Sequence, residues 1–134
     1  MVDNEIIKEI DNLHKSANEA LRLKQFDRYM DFFSDSLQYK QLNRKTIGKK
    51  QLVKDVSNYF DRIQKFSSQY ERKNCTIGNQ KVIETLIQQT SASLRVFVFF
   101  SKNWIIEREG IYEWEKINNT WKIVKVEILK ETVL

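Results

Sequence analysis

Hydrophobic spacing changes once along this chain. Up to about Phe66 the apolar residues recur at helical intervals, and beyond it they alternate with polar ones between pairs of turn-forming residues. Helical spacing lays one stripe along a helix, whereas strict alternation turns one face of a strand toward a core. The switch therefore divides a helical half from a sheet half. Segments in that order predict an α+β domain, with about three N-terminal helices packed on a curved antiparallel sheet. A length of 134 residues suits a single domain over 1–134, large enough to bury one core.

Ile6, Ile10, Leu13, Ala17 and Ala20/Leu21 form the stripe of a first helix from Asp3 to about Lys24. Asp3 is placed to cap it, and Glu5, Glu9, Arg22 and Lys24 complement its dipole. Phe26, Tyr29, Met30 and Phe33 predict a short second helix that stops at Ser34-Asp35-Ser36. A strand is expected over Leu37–Leu42. A third helix follows Gly48, with Leu52, Val56, Tyr59/Phe60 and Ile63 inward. Gly78-Asn79, Lys102-Asn103 and Asn118-Asn119 then read as hairpin turns. They delimit strands at about 68–77, 81–100, 104–117 and 120–130. The second is long enough to call for a bend near Ser91-Ala92-Ser93.

Composition excludes several classes. Hydrophobic residues make up 41% and charged residues 31%, which separates the chain from disordered segments. No run approaches the roughly 20 apolar residues of a membrane span, and the acidic start is unlike a secretory leader, so a cytoplasmic protein without membrane association is expected. Cys75 has no second cysteine to pair with and reads as a small apolar filler. The net charge of +5 is concentrated in Lys40, Arg44, Lys45, Lys49, Lys50 and Lys54. Without interleaved aromatics that segment reads as a solvated basic face, and nucleic acid is not the expected partner. One histidine and one cysteine cannot build a His/Cys zinc site, and no loop has calcium spacing. No Gly-x-Ser-x-Gly and no glycine-rich phosphate loop occurs, so no metal and no cofactor is expected.

The long helix, the short aromatic helix, the run Phe33-Ser34-Asp35-Ser36-Leu37-Gln38-Tyr39, the Gly48-led helix and the closing hairpin from Tyr112 to Ile123 resemble the nuclear transport factor 2-like (SnoaL-like) superfamily. The resemblance covers nearly the whole chain. It implies a cone in which helices close over a strongly curved sheet around a cavity, and pairing of two copies through the outer sheet face. Steroid isomerases of this superfamily use a carboxylate base with a tyrosine and a carboxylic acid as oxyanion donors. The matching positions here are Gln41, Ala17 and Gly110, none of which can serve those roles. Dehydratase-like members use histidines, and the one histidine here, His14, flanks the first helix stripe and reads as half-exposed and structural. No catalytic residue is assigned.

A ligand site is the remaining expectation. On the strand after Asn103, Trp104, Ile106, Arg108, Gly110, Tyr112 and Trp114 share one face. If that face points inward, Arg108 needs a partner, either a carboxylate such as Glu84 or Asp55 or an anionic ligand. Tyr39 and Gln41 share a face of the first strand, and Tyr59 lies on the third helix. Tyr39, Gln41, Tyr59, Arg108, Tyr112 and Trp114 are therefore the candidate ligand-binding residues. The leading function is binding of a small anionic or hydrophobic molecule by a homodimeric domain. A lyase or isomerase acting on a hydrophobic carbonyl compound, and a protein or nucleic-acid interaction module, are the alternatives.

Overall fold

A computed structural model describes residues 2–97 and 100–134. Helix α1 spans Val2–Arg22, α2 Phe26–Met30 and α3 Lys49–Phe60. The strands are β1 Phe33–Lys40, β2 Thr46–Ile47, β3 Ile63–Gly78, β4 Lys81–Phe97, β5 Phe100–Ile117 and β6 Thr120–Val133. They form one open sheet in the order β2-β1-β6-β5-β4-β3. Every neighbouring pair is antiparallel except β1 and β6, so the sheet is mixed rather than wholly antiparallel. None of its helices is long and apolar enough to cross a membrane.

Helix α1 ends where Lys24 takes a left-handed φ of 58° and Gln25 N–H reaches back to Ala20 O, a closure that satisfies the last carbonyls. Asp3 lies within its first turn instead of capping it. Ser34–Ser36, expected as a turn, is part of β1. The Ser34 hydroxyl accepts the Ser36 backbone N–H, and here β1 slips against β6 between Phe33 and Gln38. Local side-chain bonding lets serines sit in an irregular strand as readily as in a turn. Phe33 and Ile63 are buried as expected, but as first residues of strands.

Asn118 and Asn119 both take positive φ and close β5 onto β6, the geometry that a two-residue hairpin requires. The β3–β4 turn falls at Asn79-Gln80, one residue later than expected, because Gly78 already pairs with Lys81. Lys102-Asn103 is not a turn. Both residues pair with β4, opposite Leu94 and Ser93, and the described pairing continues to Phe97 and Phe100. Pairing also runs unbroken through Ser91-Ala92-Ser93 on both sides.

Irregularities lie just beyond this run: Gln64 is extra in β3 opposite the step from Ser93 to Leu94, and the register of β4 against β5 shifts between Arg95 and Phe97. Lys73 is extra in β3, Val124 and Leu129 are extra in β6, and each bulge bends its strand. Opposite the Leu129 bulge sits Gly110, where an added Cβ would lie 3.2 Å from the Tyr112 ring and 3.3 Å from Glu127 O. The glycine is needed there for close approach of β6. Ile10, Met30, Phe33, Leu37, Leu86, Trp114, Trp121 and Val126 fill the core between α1, α2 and the inner sheet face. Beyond that core, toward α3 and the far half of β5, packing is incomplete and a cavity opens.

Candidate functional site

The face of β5 predicted to point inward does so: Gly110, Tyr112 and Trp114 are buried, while Ile105 and Glu107 on the other face are exposed. Arg108 lies on this inner face, paired across the sheet with Gln88 of β4 on one side and Glu131 of β6 on the other. Its Nε donates to Glu131 Oε2 at 2.9 Å. Of the two alternatives, a carboxylate of the chain or an anionic ligand, a carboxylate is present, but it is Glu131 and not Glu84 or Asp55. Glu131 reaches this face because Leu129 bulges. Without that extra residue the alternation from Val126 and Ile128 would turn Glu131 outward.

Two spaces meet at Arg108. The inner one is a chamber of about 290 Å³, walled by Phe33, Leu52, Phe60, Phe66 and Ile106 and by the rings of Tyr29, Tyr39 and Tyr59. Gln88, Thr90 and Ser68 add neutral polar groups, and the charged residues among the described lining are Arg108 and Asp55. The outer space is bounded by Tyr39, Gln41, Leu42, Asn43, Arg108 and Glu131. Arg108 therefore keeps 36% of its side-chain surface accessible although it stands on the inner face of the sheet. That surface is cavity wall.

Its electrostatics follow from the same position. Burial would by itself favour loss of the guanidinium charge, but Tyr39, Tyr112 and Glu131 outweigh it, and the net shift of Arg108 is upward. It stays a cation. Burial pushes the Tyr29 phenol up to about 12 and raises Tyr39 and Tyr59 as well, the nearby Arg108 opposing the rise in each. The three phenols are thus neutral near physiological pH, able to donate or accept a hydrogen bond but not to act as phenolate bases. Among the described residues Arg108 has no hydrogen bond beyond the one to Glu131, which leaves its two terminal nitrogens available to a guest.

The predicted site residues separate into two groups. Tyr39, Tyr59 and Arg108 line the inner chamber, and Gln41 joins Tyr39 and Arg108 at the outer space. Tyr112 and Trp114 line neither. Tyr112 stands behind the wall, its hydroxyl donating to Gln88 Oε1 at 2.8 Å. Trp114 belongs to a different polar cluster. Glu131 and Gln88 were missed, the first because the last strand was expected to end at Lys130.

That second cluster ties α1 to the sheet. Glu84, with no exposed surface, accepts from Trp114 Nε1 at 2.7 Å and from Arg72 at 2.8 and 2.9 Å, and it pairs with His14 at 2.7 Å. Asp11 on α1 accepts from Arg72 Nη2 at 2.8 Å and from the Tyr70 hydroxyl at 2.5 Å. The His14 ring packs on Tyr70 and edge-on to Trp114. His14 is thus buried, at 8% exposure, not half-exposed as its flank position suggested. His14, Glu84, Arg72 and Asp11 line neither of the two spaces around Arg108, and their bonds clasp α1 to the sheet. No described group of three or more His, Cys, Asp or Glu side chains is arranged to hold a metal. The Cys75 thiol is raised by burial, which weakens it as a nucleophile.

No family model matches the chain, and no curated protein matches it. Solved structures do. A conserved protein from Planctomyces limnophilus superimposes over 100% of both chains with a TM-score of 0.83 at 10% identity. A dehydratase-like protein of the nuclear transport factor 2-like family from Streptomyces avermitilis gives 0.72 at 5% identity, over 94% of this chain and 96% of its own. The hexachlorocyclohexane dehydrochlorinase LinA-type3 from Novosphingobium barchaimii gives 0.70 at 17% identity, over 98% and 92%. The chain has the nuclear transport factor 2-like, SnoaL-like fold, and similarity at this level carries the fold alone.

Proposed function

We propose that this domain binds a small molecule with an apolar body and an acidic group, the body in the inner chamber and the acid on Arg108. The observation that carries this reading is a guanidinium in an aromatic wall, held through Nε by Glu131 and with no bond to its two terminal nitrogens among the described residues. A fork of N–H donors matches a carboxylate bidentately, and the surrounding rings supply the apolar contact area. At about 290 Å³ the chamber lies at the lower end of ligand pockets, which restricts the guest to a compact molecule. Thermal-shift measurements with benzoate and 3-phenylpropanoate test the reading. Both acids raise the Tm of the wild type, and Arg108→Ala loses the effect; equal stabilisation of the two proteins contradicts it.

The same reading includes a homodimer through the outer face of the sheet. Ile83 and Ile105 are exposed there, Ile87 and Ile111 are half-covered, and Glu107, Glu113, Lys125 and Lys130 surround them. Apolar centres with charged rims are the anatomy of a protein contact. Sedimentation equilibrium should give twice the chain mass for the wild type and the single mass for Ile111→Glu. A monomeric wild type removes this part.

Catalysis is the second reading, favoured by one observation. Asp55 lines the chamber, and among the described residues its one hydrogen bond is to Oδ1, from Gln51 Nε2 at 3.0 Å. A carboxylate and a cation lining one largely apolar space are the minimum for proton abstraction next to a carbonyl, although Asp55 is itself an exposed residue. The reading requires deuterium exchange at the α-carbon of a compact aryl ketone that Asp55→Asn abolishes. Absence of exchange in the wild type rules it out.

A further inference from the structure

The ion pair at the junction of the two spaces narrows the ligand class. Glu131 borders only the outer space, whereas Arg108 and Tyr39 border both. The carboxylate of Glu131 binds Arg108 through Oε2 alone, and among the described residues Oε1 has no partner. Gln41, which also lines the outer space, gives its amide N–H to Lys45 O at 3.4 Å, and among the described residues its Oε1 accepts no hydrogen bond. Among the described residues, acceptor atoms of Glu131 and Gln41 at the outer space thus have no hydrogen bond, and neither have the terminal nitrogens of Arg108, which stands where that space meets the aromatic chamber. A guest that satisfies both sides carries an anion and a cation only a bond or two apart, with an apolar group extending from the anionic side.

Building on the reading of Arg108 as an acid-binding residue, we infer that the ligand is a zwitterion of the α-amino acid type with an apolar or aromatic side chain. Its carboxylate bonds the terminal nitrogens of Arg108, and its ammonium group donates to Glu131 Oε1 and Gln41 Oε1. Its side chain enters the chamber among Tyr29, Tyr39 and Tyr59. The pairing is antiparallel, each charge of the guest against the opposite charge of the protein. An acid without the ammonium group leaves Glu131 facing a neighbouring negative charge, and an amine without the carboxylate leaves the terminal nitrogens of Arg108 without an anion. Selectivity for the zwitterion thus comes from what the other two classes fail to neutralise.

Titration calorimetry on the full chain with four probes decides the matter: L-phenylalanine, 3-phenylpropanoate, 2-phenylethylamine and L-alanine. L-Phenylalanine binds at least about tenfold more tightly than 3-phenylpropanoate, the difference expected for one charge-assisted hydrogen bond, and more tightly than either remaining probe. Glu131→Gln preserves an acceptor for Arg108 Nε and is expected to bring the two carboxylic acids to within about twofold of each other, chiefly by weakening L-phenylalanine. If 3-phenylpropanoate binds as well as L-phenylalanine to the wild type, the zwitterion assignment is overturned while the acid-binding reading stands. If 2-phenylethylamine is the best ligand, or no probe binds at millimolar concentration, both are overturned. The wild-type series alone separates these outcomes should the Glu131 variant fail to fold.

Discussion

Glu84→Ala is expected to lower the free energy of unfolding by about 3–5 kcal/mol, because it removes one partner of a buried charged network and strands the others. His14, Arg72 and Trp114 all direct a polar hydrogen at this carboxylate. Against a total stability of about 5–15 kcal/mol for a domain, that loss approaches unfolding. Glu84→Gln retains the volume and one acceptor oxygen and should cost less. Urea denaturation of the two variants checks the order, and a loss below about 1 kcal/mol for Glu84→Ala would show that the network adds little.

The acid limit of the fold follows from the same residues. Burial alone would raise the Glu84 carboxyl, but the hydrogen bond and charge of His14, then the hydrogen bonds from Arg72 and Trp114, outweigh it and hold it below its ordinary range. Asp11 is likewise lowered, burial being overcome by Tyr70 and Arg72. Carboxyls whose folded pKa lies below the unfolded one contribute stability that is complete above the unfolded value. It is lost as pH falls through the folded value. Unfolding midpoints should therefore hold near neutral pH and decline below about pH 4. Glu84→Gln should flatten that decline.

Trp114→Phe should cost about 2–4 kcal/mol of stability and leave ligand affinity within about twofold of the wild type. Trp114 is 1% exposed, makes the Nε1 bond to Glu84 and packs on His14, yet it touches neither space around Arg108. Stability and binding should therefore separate at this position and coincide at Arg108. Paired denaturation and calorimetry on the variant decide it. An affinity loss as large as that of Arg108→Ala would return Trp114 to the ligand site.

Those contrasts mark what residue patterns carry and what they omit. The inward face of β5 was legible because period-two alternation holds without a bulge from Trp104 to Trp114, and that alone put Arg108 inside. The helices of the N-terminal half were legible from their stripes, with ends misplaced where Phe33 and Ile63 kept helical spacing while already in strands. The partner of Arg108 was not legible. Glu131 turns inward only because Leu129 is extra in β6, and no alternation rule announces a bulge. The β4–β5 reversal was misplaced because Lys102-Asn103 has turn chemistry in a stretch whose pairing with Leu94 and Ser93 prevails. His14 and Glu84 are separated by 70 positions, and no local pattern links residues that meet only after the sheet has folded.

The most direct test of the central claim is a crystal structure of the protein soaked with 3-phenylpropanoate. The phenyl ring should occupy the chamber bounded by Tyr29, Tyr39 and Tyr59, with the carboxylate hydrogen-bonded to the terminal nitrogens of Arg108 and Glu131 still on Nε. A ligand bound elsewhere while the chamber stays empty, or a chamber filled by the protein's own side chains, would contradict it.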